Sequence, residues 1–136
     1  MARRLILDTG ILIGVERDGG LAAVMDDDDD VAVAAITVAE LQLGVELATD
    51  AHRQRRQEFA DGIRALLPVE DYTADVALVH ARLLAHVRRA GTARGAHDLI
   101  IAATAAATAR LLVTGDDHAR FDELPGVHAL RAGPPL

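Results

Sequence analysis

Three short, unbroken apolar stretches read as strands: Leu5-Ile6-Leu7, Val31-Ala32-Val33-Ala34-Ala35-Ile36 and Leu111-Leu112-Val113. A strand with one face in water alternates apolar and polar side chains, whereas a strand with no polar face has to be covered on both sides. Segments with helical spacing lie between the three runs. The sequence therefore predicts a three-layer α/β fold, a central, mainly parallel sheet flanked by helices. Ligands bind such sheets beyond the carboxyl ends of the strands, which singles out the residues that follow each run.

Residues 4–7 are read as a strand closing at Asp8, followed by a helix over 11–16. The second run, 31–36, is a strand, with Thr37 placed as the N-cap of a helix over 38–48. A helix over 52–67 gathers Phe59, Ile63, Leu66 and Leu67 on one face and is stopped by Pro68, with Val69 in a short strand. Thr73 caps a further helix in which Val76, Val79, Leu83 and Val87 recur at spacings of three and four, ending near Gly91. The segment 97–109 is apolar nearly all round and rich in Ala, the pattern of a buried, closely packed helix. The third run leads into Thr114-Gly115-Asp116-Asp117, and 127–130 is expected to form an edge strand. With no repeat and no linker, 136 residues fit a single domain, 1–136.

Composition removes several kinds of chemistry. There is no Cys, which excludes disulfides, thiolate metal sites and cysteine nucleophiles. All 14 basic residues are Arg, so a P-loop lysine and a Schiff-base lysine are excluded too. The net charge of −7 is the wrong sign for a passive nucleic-acid binder, which gains affinity by releasing phosphate counterions. With 2% aromatic residues the chain also lacks the makings of a base-stacking platform. Asp8 interrupts the basic-then-apolar start too early for a signal peptide, and the uncharged stretch 99–109 is shorter than the roughly 20 residues a bilayer requires. The expectation is a cytoplasmic protein with no membrane segment. The five consecutive acids 26–30 repel one another and are read as a solvated loop; they lack the spaced ligands and glycine of a calcium loop.

Four other acids fall where the predicted fold puts its chemistry. Asp8 closes the first strand, Glu40 lies on the first turn after the second, Asp98 opens the Ala-rich helix and Asp116 follows the third strand. Each has a purely structural reading as well. Thr37-Val38-Ala39-Glu40 has the form of a capping box. Asp98 favours the dipole of its helix, Asp116 or Asp117 caps a following turn, and Asp8 begins one. Taken together those readings weaken. Two unit charges 4 Å apart repel by about 4 kcal/mol at an effective dielectric of 20, so four gathered carboxylates need cations or protons. Oxygen-only ligands select Mg²⁺ or Mn²⁺. Such ions bridge a phosphate, lower the pKa of a bound water and stabilise a leaving oxygen, the requirements of phosphodiester hydrolysis.

The residues around these acids carry a resemblance. Leu5-Ile6-Leu7-Asp8-Thr9-Gly10-Ile11-Leu12-Ile13 resembles the opening of PIN-domain nucleases, and the segments 37–45 and 97–105 resemble their second and third motifs. Leu112-Val113-Thr114-Gly115-Asp116 followed by Phe121 resembles the fourth. Size and layout are similar to VapC toxins of VapBC toxin–antitoxin systems. The resemblance implies a PIN fold and a Mg²⁺- or Mn²⁺-dependent endoribonuclease acting on structured RNA such as tRNA. Asp8, Glu40, Asp98 and Asp116 would be its catalytic, metal-holding acids and Thr114 a supporting hydroxyl. It also implies a homodimer silenced by a VapB-type antitoxin that covers the active site. Two positions depart from the pattern. Gly10 stands where the family usually has Ser or Thr, so a hydroxyl is missing there, and Thr9 is expected to point elsewhere. Asp116 is followed by a second acid, Asp117, and is preferred because it stands two residues after Thr114.

Arg88, Arg89 and Arg94 precede the third motif and either rim the pocket to hold RNA phosphates or form a basic helix end. Arg53, Arg55 and Arg56 are read as a solvated helix face. His97 and His118 flank candidate acids and would serve a metal-free ribonuclease as acid and base, which the four carboxylates fit poorly. Two further alternatives remain: a catalytically impaired PIN module acting as a protein- or RNA-binding partner, allowed by Gly10, and a phosphatase using Asp8 as nucleophile.

Overall fold

The computed structural model describes residues 2–18, 20–92, 94–115 and 120–132. Its strands are β1 (Arg4–Leu7), β2 (Asp30–Ala34), β3 (Val69–Glu70), β4 (Leu111–Thr114) and β5 (Ala129–Arg131). Its helices are α1 (Thr9–Asp18), α2 (Ala35–Glu46), α3 (Asp50–Leu66), α4 (Ala74–Ala90) and α5 (Ala96–Ala107). The strands form one sheet in the order β3-β2-β1-β4-β5, every neighbouring pair parallel. The expected parallel α/β fold is therefore the observed one.

Alternation within each strand divides the core between two faces. Leu5, Leu7, Val31, Val33 and Val113 meet Leu12 of α1, Leu41 and Val45 of α2 and Ile63 of α3. Ile6, Ala34 and Leu112 face the other way, onto Val76, Leu83 and Val87 of α4 and onto α5. Leu5, Ile6 and Leu7 have no exposed surface, and burying a side chain of that size contributes about 1.5–3 kcal/mol. Ala102, Ala103 and Ala105 are equally buried, because the small side chains of α5 let it lie between α4 and the sheet. The side chain of Thr73 accepts the amide of Val76 and starts α4, and Gly91, at φ 68°, ends it in the left-handed conformation glycine adopts without strain.

Several boundaries differ from the sequence expectation. The apolar run 31–36 is divided, with Ala35 and Ile36 already in α2. A single strand was expected because Ala is apolar, yet Ala is also the best helix former, so burial pattern alone does not mark the change. α1 begins directly after Asp8 rather than at Ile11. The last strand starts at Ala129, since Val127 turns into the core beside Leu124 and Phe121.

At the amino edge of the sheet one buried cation collects four strands. The Arg110 side chain, 5% exposed, lies just before β4. Its Nη1 donates to the carbonyls of Leu5 and Asp30 at 3.1 and 2.9 Å and to Asp30 Oδ1 at 3.1 Å, while Nε reaches Glu70 Oε1 at 3.1 Å. The acidic loop before β2 is also tied down, which corrects the reading of a merely solvated segment. Asp29, its side chain 2% exposed, accepts Arg3 Nε at 3.0 Å and Nη2 at 2.7 Å, and also the amide of Asp26. These bonds, Arg3 first, hold its carboxyl at about 2, below the ordinary 3.8. The pair therefore stabilises the fold fully above about pH 4 and loses that contribution as pH falls through 2. No helix among the described residues is long and apolar enough to cross a membrane.

Candidate active site

The chain reverses its direction of travel across the sheet at β1, with β2 on one side and β4, reached much later, on the other. Crevices form at such switch points, and Asp8 stands at this one. Leu7 is in register with Val113, and the amide of Asp8 donates to the Val113 carbonyl at 3.0 Å. Asp8 is 6% exposed. Its Oδ1 accepts the amide of Ile11 at 2.8 Å, so the carboxylate caps α1 as well as facing the edge. Thr114, also buried, ends β4 beside it.

Glu40 reaches the same edge from α2. The helix starts at Ala35, two residues before Thr37, so Thr37 is an interior residue and the expected capping box does not form. Thr37 is instead 0% exposed, with its hydroxyl 3.1 Å from that of Thr9. The Thr9 hydroxyl in turn lies 2.7 Å from Glu40 Oε1. A carboxylate only accepts and a hydroxyl has one proton, so Thr9 donates to Glu40 and accepts from Thr37. The relay fixes Glu40 through a short, charge-assisted bond.

Thr9 is thus the functional residue that sequence reasoning misjudged. It was expected to point away, but α1 begins at Thr9 and turns its hydroxyl toward Glu40. The signal available in the sequence was a pair of threonines at 9 and 37, each beside a candidate site. At Gly10 a Cβ would lie 3.6 Å from Asp8 Oδ1, an ordinary contact, so the small residue is not imposed by crowding. Thr9→Val keeps the shape and removes the proton. It is expected to lower stability by about 1 kcal/mol and, if the edge cleaves RNA as the resemblance implies, to slow that cleavage about tenfold, with Thr9→Ser restoring both. Single-turnover cleavage and thermal denaturation measure the two effects, and a wild-type rate for Thr9→Val would free Glu40 from this relay.

α5 completes the convergence. His97 Nδ1 lies 3.4 Å from Glu40 Oε2, so the first turn of α5 meets α2 at this edge and brings Asp98 with it. Asp98 is half-buried and folds back over Gly95, where a Cβ would come within 3.0 Å of Oδ2. Glycine at 95 is therefore what leaves room for the carboxylate. Glu40 thus touches the chain neighbours of two other candidate acids, Thr9 beside Asp8 and His97 beside Asp98, although the three carboxylates are not among the described groups whose oxygens lie within 4.8 Å of one another. Asp116, Asp117 and His118 lie outside the described residues.

The donors at this edge are carboxylate oxygens backed by neutral hydroxyls, with one imidazole at the rim. That set suits a hard divalent cation rather than zinc. Among the described residues, the carboxylates with oxygens within 4.8 Å of one another are those of Asp26, Asp28 and Asp29 rather than the acids of this edge. They lie before β2, at the opposite edge, and Asp29 is already occupied by Arg3. Arg88 and Arg89 are exposed in the last turn of α4, where the helix dipole favours cations. Arg94 donates to the Arg120 carbonyl at 3.0 Å and to Glu123 at 3.2 Å.

The chain belongs to the PIN domain family, whose model matches residues 5–127. Within the family it is similar to Ribonuclease VapC5 of Mycobacterium tuberculosis (strain ATCC 25618 / H37Rv), 36% identical over 132 residues that cover 93% of each chain. Among solved structures, that of VapBC-5 from Mycobacterium tuberculosis has a TM-score of 0.79 at 30% identity, covering 95% of this chain and 98% of that one. VapBC2 from Rickettsia felis, bound to a promoter DNA fragment, superposes with a TM-score of 0.85 over 96% and 99% of the two chains; at 22% identity it bears on the fold alone.

Proposed function

We propose that this chain is a Mg²⁺- or Mn²⁺-dependent endoribonuclease toxin that hydrolyses phosphodiester bonds of structured RNA such as tRNA, works as a homodimer and is silenced by a VapB-type antitoxin. The observation that carries the reading is the placing of Glu40 against Thr9, the residue after Asp8, and against His97, the residue before Asp98, beside the switch point of the sheet. Membership of the PIN family and the likeness to relatives named ribonuclease VapC support it.

Asp8, Glu40, Asp98 and Asp116 would hold the ion, and Thr114 would offer a hydroxyl beside it. A bound divalent cation would supply charge neutralisation for the phosphate and activation of water. The chain's own part is orientation. The Ile11 amide fixes Asp8, the Thr9–Thr37 relay fixes Glu40, and Gly95 gives Asp98 its place. His97 Nδ1 can hold a proton against Glu40 Oε2. The impaired-module alternative rested on the hydroxyl missing at Gly10, and Thr9 places one against Glu40 from the neighbouring position.

Purified protein with RNA and Mg²⁺ or Mn²⁺ is expected to cleave, to stop in excess EDTA and to recover when Mn²⁺ is restored. Cleavage persisting in EDTA would replace this mechanism with one using His97 and His118 as acid and base.

A further inference from the structure

An open cleft of about 400 Å³ lies between α1, α2 and α3. Glu40 lines it, so the cleft is continuous with the acidic edge. Arg17, Arg55 and Arg56 line it too, all exposed. Of the 14 arginines, Arg3, Arg4, Arg53, Arg94, Arg110 and Arg120 form ion pairs with carboxylates. Arg17, Arg55 and Arg56 form no salt bridge among the described residues: Arg56 Nη1 lies over the Gly44 carbonyl at 3.3 Å, and Arg55 Nη2 is 3.2 Å from His52 Nδ1. Three guanidinium groups with no salt bridge among the described residues therefore line one opening, where they outnumber its two carboxylates, Glu16 and Glu40.

We propose that this cleft anchors the RNA strand next to the scissile bond, with Arg17, Arg55 and Arg56 holding backbone phosphates. The inference rests on the ribonuclease reading and extends it to how substrate is bound. A phosphate at the acidic edge is tolerated where cations neutralise the carboxylates, but the phosphates flanking it meet net negative charge unless the protein supplies its own cations. The cleft supplies them on one side. Glu40 and Gly44 are one helical turn apart on the same face of α2, so Arg56, lying over Gly44, is displaced about 6 Å along the helix from the acid. The planar guanidinium matches phosphate oxygens in pairs. Arg55 and Arg56, expected to be part of a solvated helix face, thus have with Arg17 a stronger claim to RNA than Arg94, whose guanidinium already holds Glu123.

The test uses the full chain carrying Asp98→Asn to block turnover, and a labelled single-stranded RNA of mixed sequence in Mg²⁺-free buffer. Adding Arg17→Gln, Arg55→Gln and Arg56→Gln together is expected to weaken binding at least about tenfold at low salt. It should also reduce the slope of log K against log salt by about 2, near 0.7 for each of three phosphates. Arg17→Gln alone, with no hydrogen bond among the described residues to lose, should reduce it by about 0.7. Exposed Arg64→Gln should change neither quantity. Unchanged affinity and slope in the triple variant, with RNA cleavage intact when Asp98 is restored, would overturn the cleft while leaving the ribonuclease reading in place. Retained RNA binding with lost silencing by a co-expressed antitoxin would make the cleft a protein dock and also overturn it. If the unsubstituted chain neither binds nor cleaves RNA, the ribonuclease reading fails and takes this proposal with it.

Discussion

Asp8→Asn and Asp98→Asn should each reduce RNA cleavage by at least ~10²–10³-fold while the protein stays folded. Asp8 does two things at once. Its Oδ1 caps α1 by accepting the Ile11 amide, and its charge contributes to the acidic edge. Asn caps a helix about as well as Asp, so the substitution removes the charge and keeps the cap. Asp8→Ala would remove both and lower stability by about 1 kcal/mol as well. In Asp98→Asn the amide still fits over Gly95, and the candidate site carries one less negative charge. Without added metal, both Asn variants should therefore melt at or above the wild-type temperature. Cleavage of labelled RNA with Mn²⁺, together with calorimetry in EDTA, measures the two sides. Wild-type turnover in either variant would remove these carboxylates from the chemistry.

The largest loss of stability is expected at Arg110, far from that edge. Arg110→Met keeps most of the side-chain volume but strips donors from the Leu5 and Asp30 carbonyls and from the carboxylates of Asp30 and Glu70. Removing one partner of a buried charged network destabilises by about 3–5 kcal/mol. Both carboxylates are partly exposed and can rehydrate, which places the expected loss near the lower end, about 3 kcal/mol. For a domain of this size that corresponds to a fall of roughly 10 °C in Tm. Arg110→Lys, which keeps the charge but not the fork, should fall between the two. Urea denaturation measures it, and a loss under about 1 kcal/mol would mean that water replaces the guanidinium freely.

The parts of this fold that the sequence made legible are those set by local pattern. Unbroken apolar runs predicted buried parallel strands, and Thr73 and Gly91 marked the two ends of α4 because capping depends on neighbours a few residues away. Asp8 and Asp98 were singled out for a related reason, since one follows a strand and the other opens a helix, whereas Glu40, expected on the first turn of its helix, lies on the second. What the pattern misplaced depended on a boundary or on distant partners. The Thr37–Glu40 spacing is that of a capping box, and only a helix start two residues earlier turns Thr37 inward to Thr9. Arg110 has no partner nearby in sequence; residues 5, 30 and 70 reach it only because the sheet brings their strands together. The carboxylate pairing of Asp29 with Arg3 is likewise a product of β1 lying beside β2.

The central position of β1 has a consequence for how the protein comes into being. One neighbour, β2, follows within a few dozen residues, but the other, β4, begins at Leu111. Until that segment has emerged from the ribosome, the Asp8 amide lacks the Val113 carbonyl it bonds in the finished fold. Closing so long a loop is slow compared with forming helices. A nascent chain of this design therefore completes the edge around Asp8 only after β4 has been made, however early β1 and β2 have paired.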